Sequence, residues 1–287
     1  MDASQIIALH QSSGRTFEAD GVQSFVREEG DGDRILCMHG VPSSCFLYRK
    51  VLNGLSRRGL RGVAFDLPGL GLASRPTEFD YSWTGLGNFS KAAVIALGLE
   101  RFHLVVHDIG GPIGFELAAA MPERIKSLTI LNTIVDVANF KKPWSMRPFE
   151  SKILGPLWLM GMIKPAFRLL MRMQGISDMQ TVSTGELNAY VDLLKRDDGG
   201  KAFLRIMRNF DTTPEKQQLY RSTLKDVPYP VQVIWGDRDP ALKIDTFGIA
   251  AREAASLDIV HQLPGKHFLQ EDQAESIARL IAEFVTN

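Results

Sequence analysis

Short apolar runs rich in β-branched residues alternate with amphipathic stretches through the first half of the chain. ILCMHG (35–40), RGVAFDLPG (61–69), HLVVHD (103–108) and SLTILNT (127–133) read as strands, whereas FLYRKVLNGLSRRG (46–59), WTGLGNFSKAAVIALG (83–98) and GPIGFELAAAMP (111–122) read as helices. The strand runs are apolar throughout rather than alternating, as in a parallel sheet covered on both faces, and the βαβ order predicts an α/β fold. From about Ile134 to Thr212 the β-type runs give way to Met-, Leu- and Arg-rich helical segments around Pro143, Pro156 and Pro165. YPVQVIWGD (229–237) and LDIVHQLPG (257–265) then restore the strand signature ahead of a closing helix at AESIARLIAEFV (274–285). The pattern predicts a mostly parallel central sheet flanked by helices. Its core is discontinuous, over residues 1–134 and 213–287, with a helical cap inserted over 135–212. The sequence has no internal repeat, low-complexity tract or Ser/Gly/Pro-rich linker that would point instead to tandem domains.

Composition narrows the function classes. The 287 residues are 45% hydrophobic and 23% charged, the usage of a globular protein. Lys+Arg and Asp+Glu both number 33, so the chain as a whole has no basic field to hold nucleic acid or an anionic membrane. Cys37 and Cys45 have neither CxxC spacing nor a Cys/His cluster, which argues against a disulfide framework and a structural zinc site. The opening MDASQIIALHQSSGRTFEADG lacks the basic end and apolar run of a secretory signal. The longest apolar stretch, GPLWLMGMI (155–163), ends at Lys164 and Pro165, well short of the ~20 residues of a membrane span. A cytoplasmic protein is predicted, with a homodimer left open.

Candidate chemistry begins where VVHDIGG (105–111) turns from strand to helix with an acid at the corner. In an open parallel sheet the carboxyl ends of strands face the ligand crevice. Such an elbow also aims backbone N–H groups and a helix N-terminus at that crevice. Asp108 is therefore either a capping acid or a nucleophile. VIWGDRDPAL (233–242) places Asp239 just beyond another strand, and LPGKHFLQED (263–272) places His267 in the loop after the last. Asp108, Asp239 and His267 would thus reach one crevice in the order nucleophile, acid, base, although GDRDP also makes an ordinary turn and His267 an ordinary surface histidine.

These motifs together resemble an α/β-hydrolase-fold enzyme of the epoxide hydrolase and haloalkane dehalogenase group, in which aspartate stands where esterases use serine. HGVP (39–42) matches the group's H-G-x-P oxyanion loop, VVHDIGG the nucleophile elbow, GDRD (236–239) the acid turn and GKHF (265–268) the histidine loop. The resemblance spans nearly the whole chain. It implies that Asp108 attacks a saturated carbon to form an ester. Water deprotonated by His267 then cleaves that ester, with Asp239 orienting the imidazole and the N–H groups of Val41 and Ile109 as oxyanion hole. His39, Pro42, Trp144 and Met207 would contact an apolar substrate, and no cofactor or metal is required. An ionised carboxylate suits this role because it needs no base to activate it. No G-x-S-x-G occurs in the chain, which disfavours a serine esterase.

The two subgroups part at the leaving group. An opening epoxide yields an alkoxide to be protonated, a task for tyrosine; a departing halide needs N–H donors. The match to epoxide hydrolase caps puts Tyr190 near one ring-opening tyrosine, but Met207 replaces the second. Against a dehalogenase, Ile109 stands where that group has a halide-gripping tryptophan, and Val41 where many members carry Asn or Glu. FLYRK (46–50), HFLQED (267–272) and Val106 are nonetheless closer to the dehalogenases. Site chemistry decides for epoxide hydrolysis to vicinal diols as the first reading. Dehalogenation, with Trp144 or Trp158 as halide donor, is the alternative, and a small-ligand binder without turnover is a third.

The cap stretch GPLWLMGMIKPAFRLLMRM (155–173) carries Lys164, Arg168 and Arg172 at fourth-residue spacing on one helical face. That stripe reads first as a solvated face and second as an interfacial or entrance surface. Met160, Met171 and Met173, if they line the pocket, would adapt it to varied apolar shapes. His107 must point opposite to Asp108 and, like Asp66, is read as structural.

Overall fold

Asp20 and Gly21, with φ of 50° and 68°, close a two-residue turn between β1 (Gly14–Ala19) and β2 (Val22–Glu29). Two successive left-handed residues match the twist of a hairpin, and Asp-Gly supplies them at low steric cost. This hairpin is an addition to the sequence reading, which begins the sheet at residue 35. The remaining strands are β3 (Arg34–Met38), β4 (Arg61–Phe65), β5 (Phe102–Asp108), β6 (Ile125–Thr133), β7 (Val231–Gly236) and β8 (His261–Leu263). The computed structural model describes residues 1–286 and joins all eight strands in the order β1-β2-β4-β3-β5-β6-β7-β8. β1 and β2 pair antiparallel, as do β2 and β4, and every other pairing is parallel. β8 is shorter than the run 257–265 implied, because only His261–Leu263 pair with β7.

Both faces of the central strands are covered, which explains their unbroken hydrophobicity. Leu104 and Val106 of β5 enter one cluster with Leu86, Phe89, Ile113 and Leu117 from helices Trp83–Ala96 and Gly110–Ala120. Val105, pointing the other way, packs with Val51, Leu52 and Leu55 of helix Arg49–Ser56 and Ile277 and Ile281 of the closing helix Ala274–Thr286. Among the described residues no strand occurs between Thr133 and Val231. That interval holds helices Leu154–Gly161, Lys164–Leu170, Thr184–Lys195, Lys201–Arg208 and Pro214–Ser222.

A buried ionic cluster clamps helix Arg49–Ser56 to helix Thr184–Lys195 and to the short helix Leu269–Asp272 after β8. Arg49 donates to Glu271 through both terminal nitrogens (2.7 and 2.9 Å) and to Glu186 Oε1 (2.7 Å), while Lys50 Nζ lies 2.7 Å from Glu271 Oε2. Burial alone would raise the Glu271 pKa, but Arg49 and Lys50 outweigh it and hold the carboxyl below its ordinary range. Arg49→Met is therefore expected to destabilise the protein by about 3 kcal/mol, the lower end for a broken buried pair because Lys50 still reaches Glu271. Urea unfolding at neutral pH measures it, and a loss well under 1 kcal/mol would contradict the clamp.

Candidate active site

Asp108 ends β5 at φ 54°, the left-handed region that a residue bearing a side chain seldom adopts. Its surroundings impose that geometry. Thr133 Oγ1 donates to the Asp108 carbonyl, and β5–β6 register shifts between His107 and Asp108. Helix Gly110–Ala120 begins two residues on, so tightly against β3 that a Cβ on Gly110 would lie 2.6 Å from the carbonyl oxygens of Met38 and His39. Gly40 has the same constraint, since a Cβ there would sit 2.1 Å from Asp108 Oδ1. The carboxylate consequently stands above the carboxyl edge of the sheet, where Oδ1 accepts from the Val41 N–H (2.7 Å).

The other acid and the histidine converge on it. His267 Nε2 lies 3.3 Å from Asp108 Oδ2, and Nδ1 lies 2.7 Å from Asp239 Oδ2. Asp239 Oδ1 accepts from the backbone N–H groups of Ala241 (2.8 Å) and Leu242 (2.9 Å). The Asn132 amide donates to Asp239 Oδ2 (2.7 Å), and its own oxygen accepts from Gly236 N–H (2.9 Å). Sequence reasoning passed over Asn132; a buried polar residue ending the apolar run SLTILNT was the available signal. His107 donates from Nε2 to the His267 carbonyl (2.8 Å), the structural role its strand position implied. The histidine loop is also held from the helical segment, as His267 and Phe268 donate backbone N–H groups to the carbonyls of Gln174 (3.3 Å) and Gly175 (2.7 Å).

Electrostatics follow from this line of charges. Burial would lower the His267 pKa, but Asp239 and Asp108 outweigh it and push the imidazole up to about 10. Burial likewise opposes ionisation of both carboxyls, and the imidazolium prevails, holding Asp108 and Asp239 below the usual carboxylate range. The resting arrangement is carboxylate, imidazolium, carboxylate.

A cavity over Asp108 and His267 brings Val41, Pro42, Ile109 and Met207 together with them, as the sequence reading expected of these residues. Three other expectations are corrected. Tyr190 is absent from the cavity lining: its hydroxyl donates to Glu271 (2.5 Å), and its ring packs on Phe46, Phe167 and Phe268. The ionic cluster takes its hydroxyl hydrogen bond. His39 is fully buried beneath the loop, with Nδ1 donating to Gly40 O (2.9 Å) and Nε2 accepting from Leu67 N–H (3.1 Å), which braces the chain instead of touching a ligand. Trp144 is 65% exposed and lines an outer groove, while the Trp158 indole is spent on the Ser145 carbonyl (3.1 Å), so neither aims an N–H at Asp108. Of the three methionines considered, Met171 lines the cavity, whereas Met160 and Met173 are exposed.

Polar groups that the sequence did not single out face the cavity from the helical side: Lys142, Ser145 and Gln174. Ser145 Oγ donates to Gln174 Oε1 (2.9 Å), which leaves the Gln174 amide N–H groups for a ligand. Lys142 Nζ is held by Glu150 (2.8 Å) and lies 3.9 Å above the Phe210 ring. Nothing in the local sequence NFKKPW marks Lys142 as a cavity residue.

Comparison with known proteins is consistent with this architecture. A family model described as alpha/beta hydrolase fold matches residues 33–274. A haloalkane dehalogenase from Psychrobacter cryohalolentis is 26% identical, the match covering 89% of this chain and 84% of that protein. A cis-3-alkyl-4-alkyloxetan-2-one decarboxylase from Shewanella oneidensis is 28% identical over 90% and 83%. The crystal structure of an epoxide hydrolase from Vigna radiata superposes with a TM-score of 0.77 at 24% identity, covering 95% of this chain and 97% of that one.

The raised His267 pKa sets a pH window. Its contribution to stability is complete below the unfolded value near 6.5 and disappears as pH rises through about 10. Unfolding free energies measured between pH 6 and 10 are expected to fall for the native sequence and to stay nearly level for His267→Gln. Parallel curves for the two proteins would refute the charge line.

Proposed function

Because the chain belongs to the α/β-hydrolase-fold family, we propose that it hydrolyses small apolar epoxides to vicinal diols through a covalent ester on Asp108. The observation carrying this reading is the line Asp108–His267–Asp239, with the Asp108 carboxylate held by Val41 N–H inside a mostly apolar cavity. In this reading residues 135–212 are a cap over a core of residues 1–134 and 213–287.

Asp108 attacks a ring carbon, the C–O bond breaks, and the alkoxide takes a proton from the Lys142 ammonium to become the hydroxyl. Burial lowers the Lys142 pKa, and Glu150 only partly opposes it, which makes this ammonium a better acid than an ordinary lysine. Esterification removes the Asp108 charge that helped keep His267 protonated. The imidazole can then release its proton to solvent, from which Lys142 recovers the one it gave up, and act as base, taking a proton from the attacking water while Asp239 stabilises its positive form. Water adds to the Asp108 carboxyl carbon and the N–H groups of Val41 and Ile109 meet the oxyanion; collapse breaks the ester C–O bond, the departing oxygen takes the His267 proton to complete the diol, and the Asp108 carboxyl returns its proton to the imidazole.

The Gln174 amide favours a second reading. Its N–H groups, with Lys142, are the donor type a departing halide needs, so a haloalkane could form the same ester with loss of halide.

Intact-mass measurement of His267→Gln after exposure to styrene oxide or to 1-bromohexane separates the readings. A gain of the whole epoxide, mapped to Asp108, supports diol formation; a gain of the alkyl group alone supports dehalogenation. No adduct on folded protein would defeat both and leave a ligand-binding pocket. For the epoxide reaction, Lys142→Met is expected to slow ester formation roughly 100-fold. Tyr190→Phe, whose hydroxyl faces Glu271, should slow it less than about threefold; single-turnover kinetics on each variant makes the comparison.

A further inference from the structure

Nine of the thirteen large apolar side chains exposed among the described residues lie between Trp144 and Met173. Helix Leu154–Gly161 buries Gly155 and Leu159 and turns Leu154, Leu157, Trp158 and Met160 outward, an apolar surface unusual for a free helix face. The outer groove between Trp144, Trp158, Leu169 and Met173 shares Ser145, Phe167 and Leu170 with the cavity over Asp108. A neighbouring groove, which shares Leu169, is lined by Arg168, Arg172 and Lys266, with Asp178 as its acidic member. Among the described residues no carboxylate lies within ion-pair distance of Arg168 or Arg172, whereas Lys164 is paired with Asp192. No helix of the described residues is long and apolar enough to cross a membrane.

An apolar face with a basic border has two natural occupants, a second copy and an anionic lipid surface. In a two-fold dimer through this patch, the basic borders of the two copies would share one interface and repel. Lipid phosphates would neutralise the same charges while the acyl layer covers Leu157, Met160 and the two tryptophans. We propose that this face, formed by helices Leu154–Gly161 and Lys164–Leu170, docks on anionic phospholipid bilayers. The shared wall of Ser145, Phe167 and Leu170 would let an apolar substrate dissolved in the bilayer reach Asp108. That second step rests on the proposed reaction; the docking does not, and is tested without turnover.

Trp144 and Trp158 provide the readout, since the chain's other two tryptophans, Trp83 and Trp235, are fully buried. The whole protein would be mixed with phosphatidylcholine vesicles with and without phosphatidylglycerol, each containing brominated acyl chains. Expected are flotation with the phosphatidylglycerol vesicles, quenching of tryptophan emission by the bromines, and release by salt. Arg168→Gln with Arg172→Gln should lower partitioning roughly 25-fold, about fivefold per charge. Leu157→Asp with Met160→Asp should abolish it, with circular dichroism confirming the fold. Absence of flotation, flotation without quenching, or partitioning unchanged in the arginine variant would overturn the proposal. So would a dimer in sedimentation that the aspartate variant dissociates.

Discussion

The whole site hangs on one backbone conformation, the left-handed turn at Asp108. Without it, the strand would carry its last side chain along the sheet face, and the carboxylate would not stand over the carboxyl edge. The cost of a left-handed aspartate, on the order of 1–3 kcal/mol, has to be met by neighbours that leave the chain no alternative. Those neighbours are identifiable. Gly40 and Gly110 allow the loop after β3 and the helix after β5 to close to distances that no Cβ would permit, and Thr133 holds the Asp108 carbonyl from β6. The same closeness puts the Val41 N–H on Asp108 Oδ1, so backbone strain and an oriented carboxylate are two aspects of one packing arrangement.

His267 is positioned from several directions. Asp239 fixes Nδ1, itself fixed by Asn132 and two backbone N–H groups; His107 holds the carbonyl from inside the sheet. The carbonyls of Arg172, Gln174 and Gly175, at the end of a helical run where such groups have no intrahelical partner, receive Lys266 Nζ and the N–H groups of His267 and Phe268. The histidine loop thereby completes the helix end, and the helix end sets the loop. One run of chain, residues 164–175, shows its exposed side to the surroundings and uses its terminal carbonyls to place the imidazole. The outer face and the reacting groups are mechanically adjacent.

How much of this was legible in the sequence varied with the range of the interactions involved. The parallel strands were readable because both faces of β5 are buried, which erases any period-2 signal and leaves runs such as HLVVHD. The first hairpin was missed: Ala-Asp-Gly-Val carries an Asp-Gly turn signal, but the short β1, half exposed, lacks an apolar run to accompany it. Asp108, Asp239 and His267 were singled out because each lies at or just beyond the end of a strand. Tyr190 was misplaced for a physical reason. Helix Thr184–Lys195 buries Leu187, Tyr190, Val191 and Leu194 on one side, and periodicity locates that side but not what lies opposite. What lies opposite is Arg49 with Glu271, 222 residues apart in the chain, and such a pairing leaves no local trace. Lys142 is the converse case, a residue that nothing in its local sequence marks and whose neighbours are Phe210 and the cavity.

The corrected position of Tyr190 changes where the chemistry must find its donor. In the proposed reaction, ester formation moves one negative charge from Asp108 to the leaving atom, so the total charge of the cavity is constant and only its location shifts. His267 cannot follow that shift, because it lies between the two carboxylates. The groups on the helical side must receive the charge, and those present are an ammonium, a hydroxyl committed to Gln174, and an amide with free N–H groups. An alkoxide is basic enough to take a proton from the ammonium and end as a neutral hydroxyl in an apolar cavity. A halide is not, and would remain an ion needing several N–H contacts until it escaped. On the proposed reading the two reactions would differ in the proton of Lys142 and the reach of Gln174, while the Asp108–His267–Asp239 line would serve either one equally.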